Sequence, residues 1–397
     1  MSKQSDVDAI VRDLTSFQKG MEVGELLSAA VACPPPTEVR FRQIELILET
    51  FRRLDAFGKD EARDLQQLLA IGRTYEQLSH LEKAHETYES ALALAERLQD
   101  VSMRAQLLNR MGRVFSRWDR WEEALGYLRR SREAYEGAGD KLGEARVLLS
   151  VGIVLQEQGK YEDAEEAYQK ALDTAEGAGD GLTVSNTLNA LAVLSTIRGD
   201  FEGAVSRYGR CLELCEREGN RIGLARTYHN LGMAHADRQD WKPAMGCFDR
   251  GFELAQEKGL LNVMANIYLS RAEALVELGD TSMVALCCAR ALDIYQKTKD
   301  RLGEADTYRV LGRLFTLRGQ WATAASLFGD SLRLNEEYGK PLNVSEVHRD
   351  AGRMQAARGR WTEARASFEA ALAGFRRLGA SADVAEVLRL METLDRA

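Results

Sequence analysis

Four arginines toward one end of the chain stand in two pairs. Arg309 and Arg313 are four residues apart, as are Arg349 and Arg353, and the pairs are separated by 40 residues. On a helix, that spacing puts both guanidinium groups of a pair on one face, one turn apart. Guanidinium forks suit carboxylates and phosphates, so four of them together would hold an acidic ligand or a free C-terminus. A structural reading stands beside it. Asp306, Glu346 and Asp350 each lie three residues before one of these arginines and could tie it up in surface pairs worth under about 1 kcal/mol. Catalytic groupings do not emerge. His229 and His235 are six residues apart, on opposite sides of a helix, and His80 and His85 lie across a turn, so neither an HExxH pattern nor a triad forms. Cys211 and Cys215 could offer half a metal site, but no second Cys or His pair has matching spacing. No metal, no cofactor and no enzymatic activity are expected. Gly137-Ala138-Gly139 and Gly177-Ala178-Gly179 follow helices rather than strands, which makes them helix ends and not phosphate loops.

The 40-residue interval between the arginine pairs runs through most of the chain. From residue 61 to residue 380 the sequence repeats eight times without insertion or deletion. Position 12 is always small: Gly72, Gly112, Gly152, Ala192, Gly232, Ala272, Gly312 and Gly352. Position 24 is alanine in every unit but one, which has Val284. Position 28 is large: Tyr88, Leu128, Tyr168, Tyr208, Phe248, Cys288, Phe328 and Phe368. A small column opposite a large one is what two closely packed helices need. Five prolines and 29% charged residues fit helical repeats better than a sandwich or barrel. A formal charge of -8 argues against nucleic acid as a partner, because phosphate binding needs a basic face. The N-terminus carries no basic start followed by an apolar run, and the uncharged stretch from Gly181 to Ile197 holds Asn186 and Asn189, so neither a secretory signal nor a membrane span is expected. Cys211, Cys247, Cys287 and Cys288 occupy core positions of the repeat. That reads as reduced thiols in a cytoplasmic protein.

Glycines at position 19 (Gly159, Gly199, Gly279, Gly319) close a first helix, and an aromatic residue at position 21 (Trp121, Tyr161, Phe201, Trp241, Trp321, Trp361) opens a second. Position 39 ends that second helix with Gly139, Gly179, Gly219, Gly259, Gly339 or Gly379. Each unit is therefore expected to be an antiparallel pair of helices of about 15 and 17 residues. In the fifth unit, Tyr228, Leu231, Gly232, Ala244 and Phe248 stand at the spacings of the tetratricopeptide signature, and Met111-Gly112, Val151-Gly152 and Leu311-Gly312 follow the same rule. The chain thus resembles the tetratricopeptide repeat family over residues 61–380. It departs from the standard in having six extra residues per unit and no closing proline. This 40-residue variant is similar to the repeats of the Pins/LGN group of polarity adaptors and to bacterial arrays that include peptide-responsive regulators. The resemblance implies an all-α superhelical solenoid of eight antiparallel helix pairs with terminal capping helices. Residues 381–397 read as a C-terminal cap helix, residues 21–60 as a degenerate repeat carrying Phe41, Ile44, Leu48, Phe51 and Leu54, and residues 1–20 as an N-terminal helix or cap.

The resemblance also implies that the first helix of each unit lines a concave groove, with positions 6, 9, 13, 16 and 17 pointing inward. These columns hold nine Arg against seven Asp or Glu. Arg73, Arg113, Arg309, Arg313, Arg349 and Arg353 stand at positions 9 and 13 of the outer units. In the middle units position 13 is Ile153, Val193 and Met233, an apolar strip surrounded by Asn109, Asn186, Asn189, His229 and Asn266. Amides that donate and accept would hold the backbone of an extended peptide, and the strip would take its apolar side chains. The expected function is a non-enzymatic adaptor that binds peptide segments of protein partners, with self-association possible. A peptide-responsive sensor and an RNA-binding array are the alternatives.

Overall fold

The computed structural model describes residues 61–77, 80–378 and 380–395, and among them every regular element is an α-helix. The expected N-terminal helix and degenerate repeat lie outside the described residues. Eight helices open their units: α1 (Glu61–Gln77), α3 (Val101–Arg117), α5 (Lys141–Glu157), α7 (Gly181–Ile197), α9 (Arg221–Asp237), α11 (Leu261–Glu277), α13 (Arg301–Leu317) and α15 (Pro341–Ala357). Each is followed by its partner: α2 (Leu81–Arg97), α4 (Trp121–Ala138), α6 (Tyr161–Ala178), α8 (Phe201–Arg217), α10 (Trp241–Glu257), α12 (Val284–Thr298), α14 (Trp321–Glu337) and α16 (Trp361–Leu378). A last helix, α17 (Ser381–Asp395), completes the series. The opening helices are 17 residues long, one turn-fragment longer than the sequence spacing predicts, because they begin directly at position 1.

Local chemistry explains both ends of these helices. Position 40 is Asp or Asn in five of the eight units, and in four of these its side chain accepts a hydrogen bond from the backbone N–H of position 3. Asp100 takes Met103, Asp140 takes Gly143, Asn220 takes Gly223 and Asp300 takes Gly303, at 2.9 to 3.0 Å. The turns close with one residue in the left-handed region. At position 19 these are Gly159, Gly199, Gly279, Gly319 and Gly359, but also Asp119 and Gln239, and at position 39 Gln99 and Lys299 replace the usual glycine. The sixth unit breaks the pattern. Its Asp280 accepts from both the N–H and the hydroxyl of Ser282, forming a local turn that delays α12 to Val284.

The core follows the columns. A Cβ added at Gly152 would come within 2.4 Å of the Tyr168 ring, at Gly232 within 2.6 Å of Phe248, and at Gly312 within 2.6 Å of Phe328. The missing side chain at position 12 is therefore the space that the ring at position 28 fills. Ser131 and Cys211, both at position 31, reach the carbonyl oxygens of Ala105 and Ser185 at position 5, so a second small column lets the paired helices close.

The chain divides into two compact units, and the division passes through the α5–α6 pair. The first contains the described residues up to Val154 with Glu166–Gly179, and the second Leu155–Glu165 with those from Asp180 onward. Within the second unit the opening helices α7, α9, α11, α13 and α15 lie side by side, each packed on the next as well as on its partner. The last helix, α17, packs on α16 through Val387, with Val384, Leu390, Met391 and Leu394 against the same cluster. No helix among the described residues is long and apolar enough to cross a membrane.

Candidate functional site

In the second unit, neighbouring opening helices are stitched together by a ladder of side chains 33 to 41 residues apart. Its first rungs are neutral. Asn230 donates its amide to Asn189 Oδ1 at 3.2 Å, and His229 Nε2 lies 3.1 Å from the Ser270 hydroxyl. Burial pushes the His229 imidazole down to about 4, so it is uncharged at neutral pH and exchanges an ordinary hydrogen bond. Asn266 is exposed, although its Oδ1 accepts from the Tyr295 hydroxyl at 2.8 Å, and Asn186 is exposed as well.

Farther along, the rungs become ionic and converge on Asp350. This carboxylate is fully buried and lies 3.1 Å from Arg309, 3.6 Å from Arg353, 3.8 Å from Arg349 and 3.9 Å from Arg313. The four arginines do come together, around a carboxylate of the chain itself. Each has further partners on adjacent helices. Arg309 meets Glu273 at 2.6 Å and Glu346 at 3.6 Å, Arg313 meets Glu277, Arg349 meets Asp383 at 2.7 Å and Glu386 at 2.8 Å, and Arg353 meets Glu386. Pairing thus runs mainly between helices, and only Asp350–Arg353 is a pair of the same-helix type considered from sequence.

The charge balance follows. Burial alone would lower the Arg309 pKa, but Glu346, Glu273 and Asp350 hold it well above the usual arginine value. Burial also opposes ionisation of Asp350, yet Arg313, Arg309 and the other two arginines keep its pKa below the usual aspartate value. The carboxylates that are less well served move the other way. Burial, with Glu346 and Glu273 nearby, raises Asp306 to about 7 despite Arg309 and a 2.9 Å hydrogen bond from Asn343. Asp237 rises to about 6 through desolvation and the like charges of Glu273 and Asp383. This stretch of wall carries more negative charge than its arginines neutralise.

The apolar residues expected inside the groove divide. Val193 packs partly on Ala192, Ala204 and Tyr208, and Met233 on Ala244, Phe248 and Ile267, so both contribute to the helix-to-helix core. Ile197, one turn beyond Val193, remains 48% exposed.

The first unit holds the remaining residues. Ile153 on α5 is 39% exposed. Glu76 is buried and takes Arg110 and Arg113, both at 3.1 Å, with the Tyr88 hydroxyl donating to it at 2.9 Å. Burial works against this carboxylate, but Arg113 and Arg110 bring its pKa below the usual value. Arg113 and Arg73 are exposed, and Asn109 is half-buried with no partner for its Oδ1 among the described residues.

Sequence reasoning reached Asp350 only as a same-helix partner of Arg353 and otherwise missed position 10, which supplies Arg110, Asn230, Ser270 and Asp350 to contacts between helices. The 41-residue spacing of Asn189 with Asn230, His229 with Ser270 and Arg309 with Asp350 is the signal that would have found it. No group of three or more potential metal ligands occurs among the described residues.

Comparison with known proteins gives concordant results. A tetratricopeptide repeat model matches residues 103–177, 183–257 and 263–337, and a second such model matches residues 67–102. No curated protein matches the sequence. Among solved structures, a Rap protein complexed with Competence and Sporulation Factor is similar over 94% of this chain and 98% of its own, with a TM-score of 0.58 at 15% identity. The Rap conjugation gene regulator of the plasmid pLS20, in complex with the Phr* peptide, gives a TM-score of 0.60 at 16% identity, covering 84% of this chain and 93% of its own. The apo quorum sensor NprR from B. thuringiensis gives 0.56 at 14%, covering 89% and 97%. At these identities the likeness concerns the fold.

Proposed function

The chain belongs to the tetratricopeptide repeat family, and from that premise we propose that it is a non-enzymatic protein-binding module whose inner helices hold an extended peptide segment of a partner. One observation carries this reading. Columns 12, 24 and 28 of the second unit are committed to packing, whereas Asn186 and Ile197, on the helix face expected to line the groove, stay exposed. Packing does not need them there, and their chemistry suits a peptide backbone and an apolar side chain. An acidic ligand opposite the arginine quartet is less well supported. Every one of those guanidinium groups already meets carboxylates, which removes the charge such a ligand, or an RNA phosphate, would use. The anchor is better placed on the amide and apolar columns. The free thiols Cys211, Cys215, Cys247, Cys287 and Cys288 agree with a reducing cytoplasmic setting.

A second reading, a peptide-responsive sensor, is favoured by the company the fold keeps. Two of the similar structures are complexes with Competence and Sporulation Factor and the Phr* peptide, and a third is a quorum sensor. The experiment is a random-peptide display selection on the intact chain, followed by fluorescence polarisation with Ile197→Asp and Asn186→Ala. Selected peptides should bind the parent and lose affinity for both variants. Equal binding would remove the inner wall as the site. A change in solution scattering on saturation would mark a sensor, and an unchanged profile an adaptor.

A further inference from the structure

Each 40-residue unit is six residues longer than the family standard, and part of the extra length adds a side-chain column at position 2. In the second unit that column reads Leu182, Ile222, Asn262, Leu302 and Leu342. Position 2 lies eleven residues before position 13, about three helical turns, so the two share a face to within about 20°. It therefore stands on the same wall as Val193 and Arg313. Leu182 is 47% exposed, Ile222 41% and Leu342 44%, while Thr183, Val184, Ser185, Leu224, Ala225 and Ser345 beside them are buried. The neighbours pack the helix starts and leave Leu182, Ile222 and Leu342 exposed, whereas Leu302 is half-buried.

Spacing and charge indicate what would cover them. The opening helices lie side by side, and packed helices stand about 8–10 Å apart. Three residues of polyproline II advance about 9.3 Å and return to the same side, whereas two residues of a β-strand advance only about 6.6 Å. One turn on from Leu302 and Leu342, the same wall presents Asp306 and Glu346, in the stretch where carboxylates exceed arginines. Resting on the peptide-binding reading above, we infer that the first turns of α7, α9, α13 and α15 form an apolar rail for a polyproline-II-like segment of a partner protein. That segment carries an apolar side chain at every third residue and a lysine or arginine beside Asp306 and Glu346. Burial, reinforced by the neighbouring carboxylates, holds the Asp306 carboxyl at about 7, and a cation there would offset the repulsive part.

The probes are capped, fluorescein-labelled serine–proline peptides of one composition, with leucines two, three or four residues apart and one lysine between them. Fluorescence polarisation on the full chain should show the three-residue spacing binding about tenfold tighter than the other two. The paired substitution Leu302→Asn and Leu342→Asn introduces the residue type that the column already carries at Asn262. It should abolish the preference while leaving helicity and melting unchanged, and lysine-to-glutamate in the probe should weaken binding. Equal affinity at all spacings, or a preference that survives the paired substitution, overturns the rail. If display-selected peptides bind but none of these probes does, the rail falls and the peptide-binding reading stands. If neither class binds, both fall.

Discussion

Asp350→Asn tests how the ionic stretch of the inner wall is held together. The substitution keeps the shape of a fully buried side chain and removes the one charge that four arginines share at 3.1 to 3.9 Å. At an effective dielectric of about 20, a pair at such distances gains roughly 4 to 5 kcal/mol gross, most of which only offsets the desolvation of Asp350. Breaking a buried pair from one side costs about 3–5 kcal/mol. Here the arginines keep Glu273, Glu277, Asp383 and Glu386, so about 3 kcal/mol, the lower end of that range, is expected. The loss should be local, because repeats contact only their neighbours. Hydrogen exchange should accelerate in α13, α15 and α17 and stay unchanged in α7 and α8. The folded pKa of Asp350 lies below its unfolded value, so its stabilisation is complete above the unfolded pKa and disappears as pH falls through the folded one. The gap between parent and variant should close in acid. Unchanged protection in α15 at neutral pH would refute the hub.

Four further substitutions probe the frame. Gly152→Ala places a Cβ within 2.4 Å of the buried Tyr168 ring and should cost about 1–3 kcal/mol, read as a lower urea midpoint, whereas a neutral result would deny the tight contact. Gln239→Gly and Lys299→Gly relieve left-handed backbone at φ 61° and 56°, and each should stabilise by about 1 kcal/mol in thermal melts. Asp306→Asn should leave melting unchanged near pH 4 and raise it near pH 8. The folded pKa is raised to about 7, so the parent loses stability as pH climbs from about 4 through about 7.

The packing columns are legible in the sequence because each records a contact within one unit, sixteen residues apart, that every repeat must make again. Gly152 with Tyr168 and Gly232 with Phe248 are of this kind. The wall is less legible because its contacts run between units. Arg309 and Arg313 announce themselves by spacing, but Asp350 sits one position away from the inward column, about 100° around its helix. Only the packed helices show that it turns toward the arginines. The late start of α12 is equally hidden, since it depends on Asp280 capturing Ser282 rather than on any change in apolar pattern. The rail at position 2 is visible as a column of Leu and Ile interrupted by Asn262, but only the exposure of Leu182, Ile222 and Leu342 distinguishes it from another core column.

The central claim is that exposed residues of the inner wall bind peptide. Isothermal titration of the intact chain with a display-selected peptide, repeated on Ile197→Asp, addresses it most directly. The account predicts one saturable site whose affinity falls at least about tenfold in the variant, with melting unchanged. Saturable binding of equal strength in both proteins would contradict it.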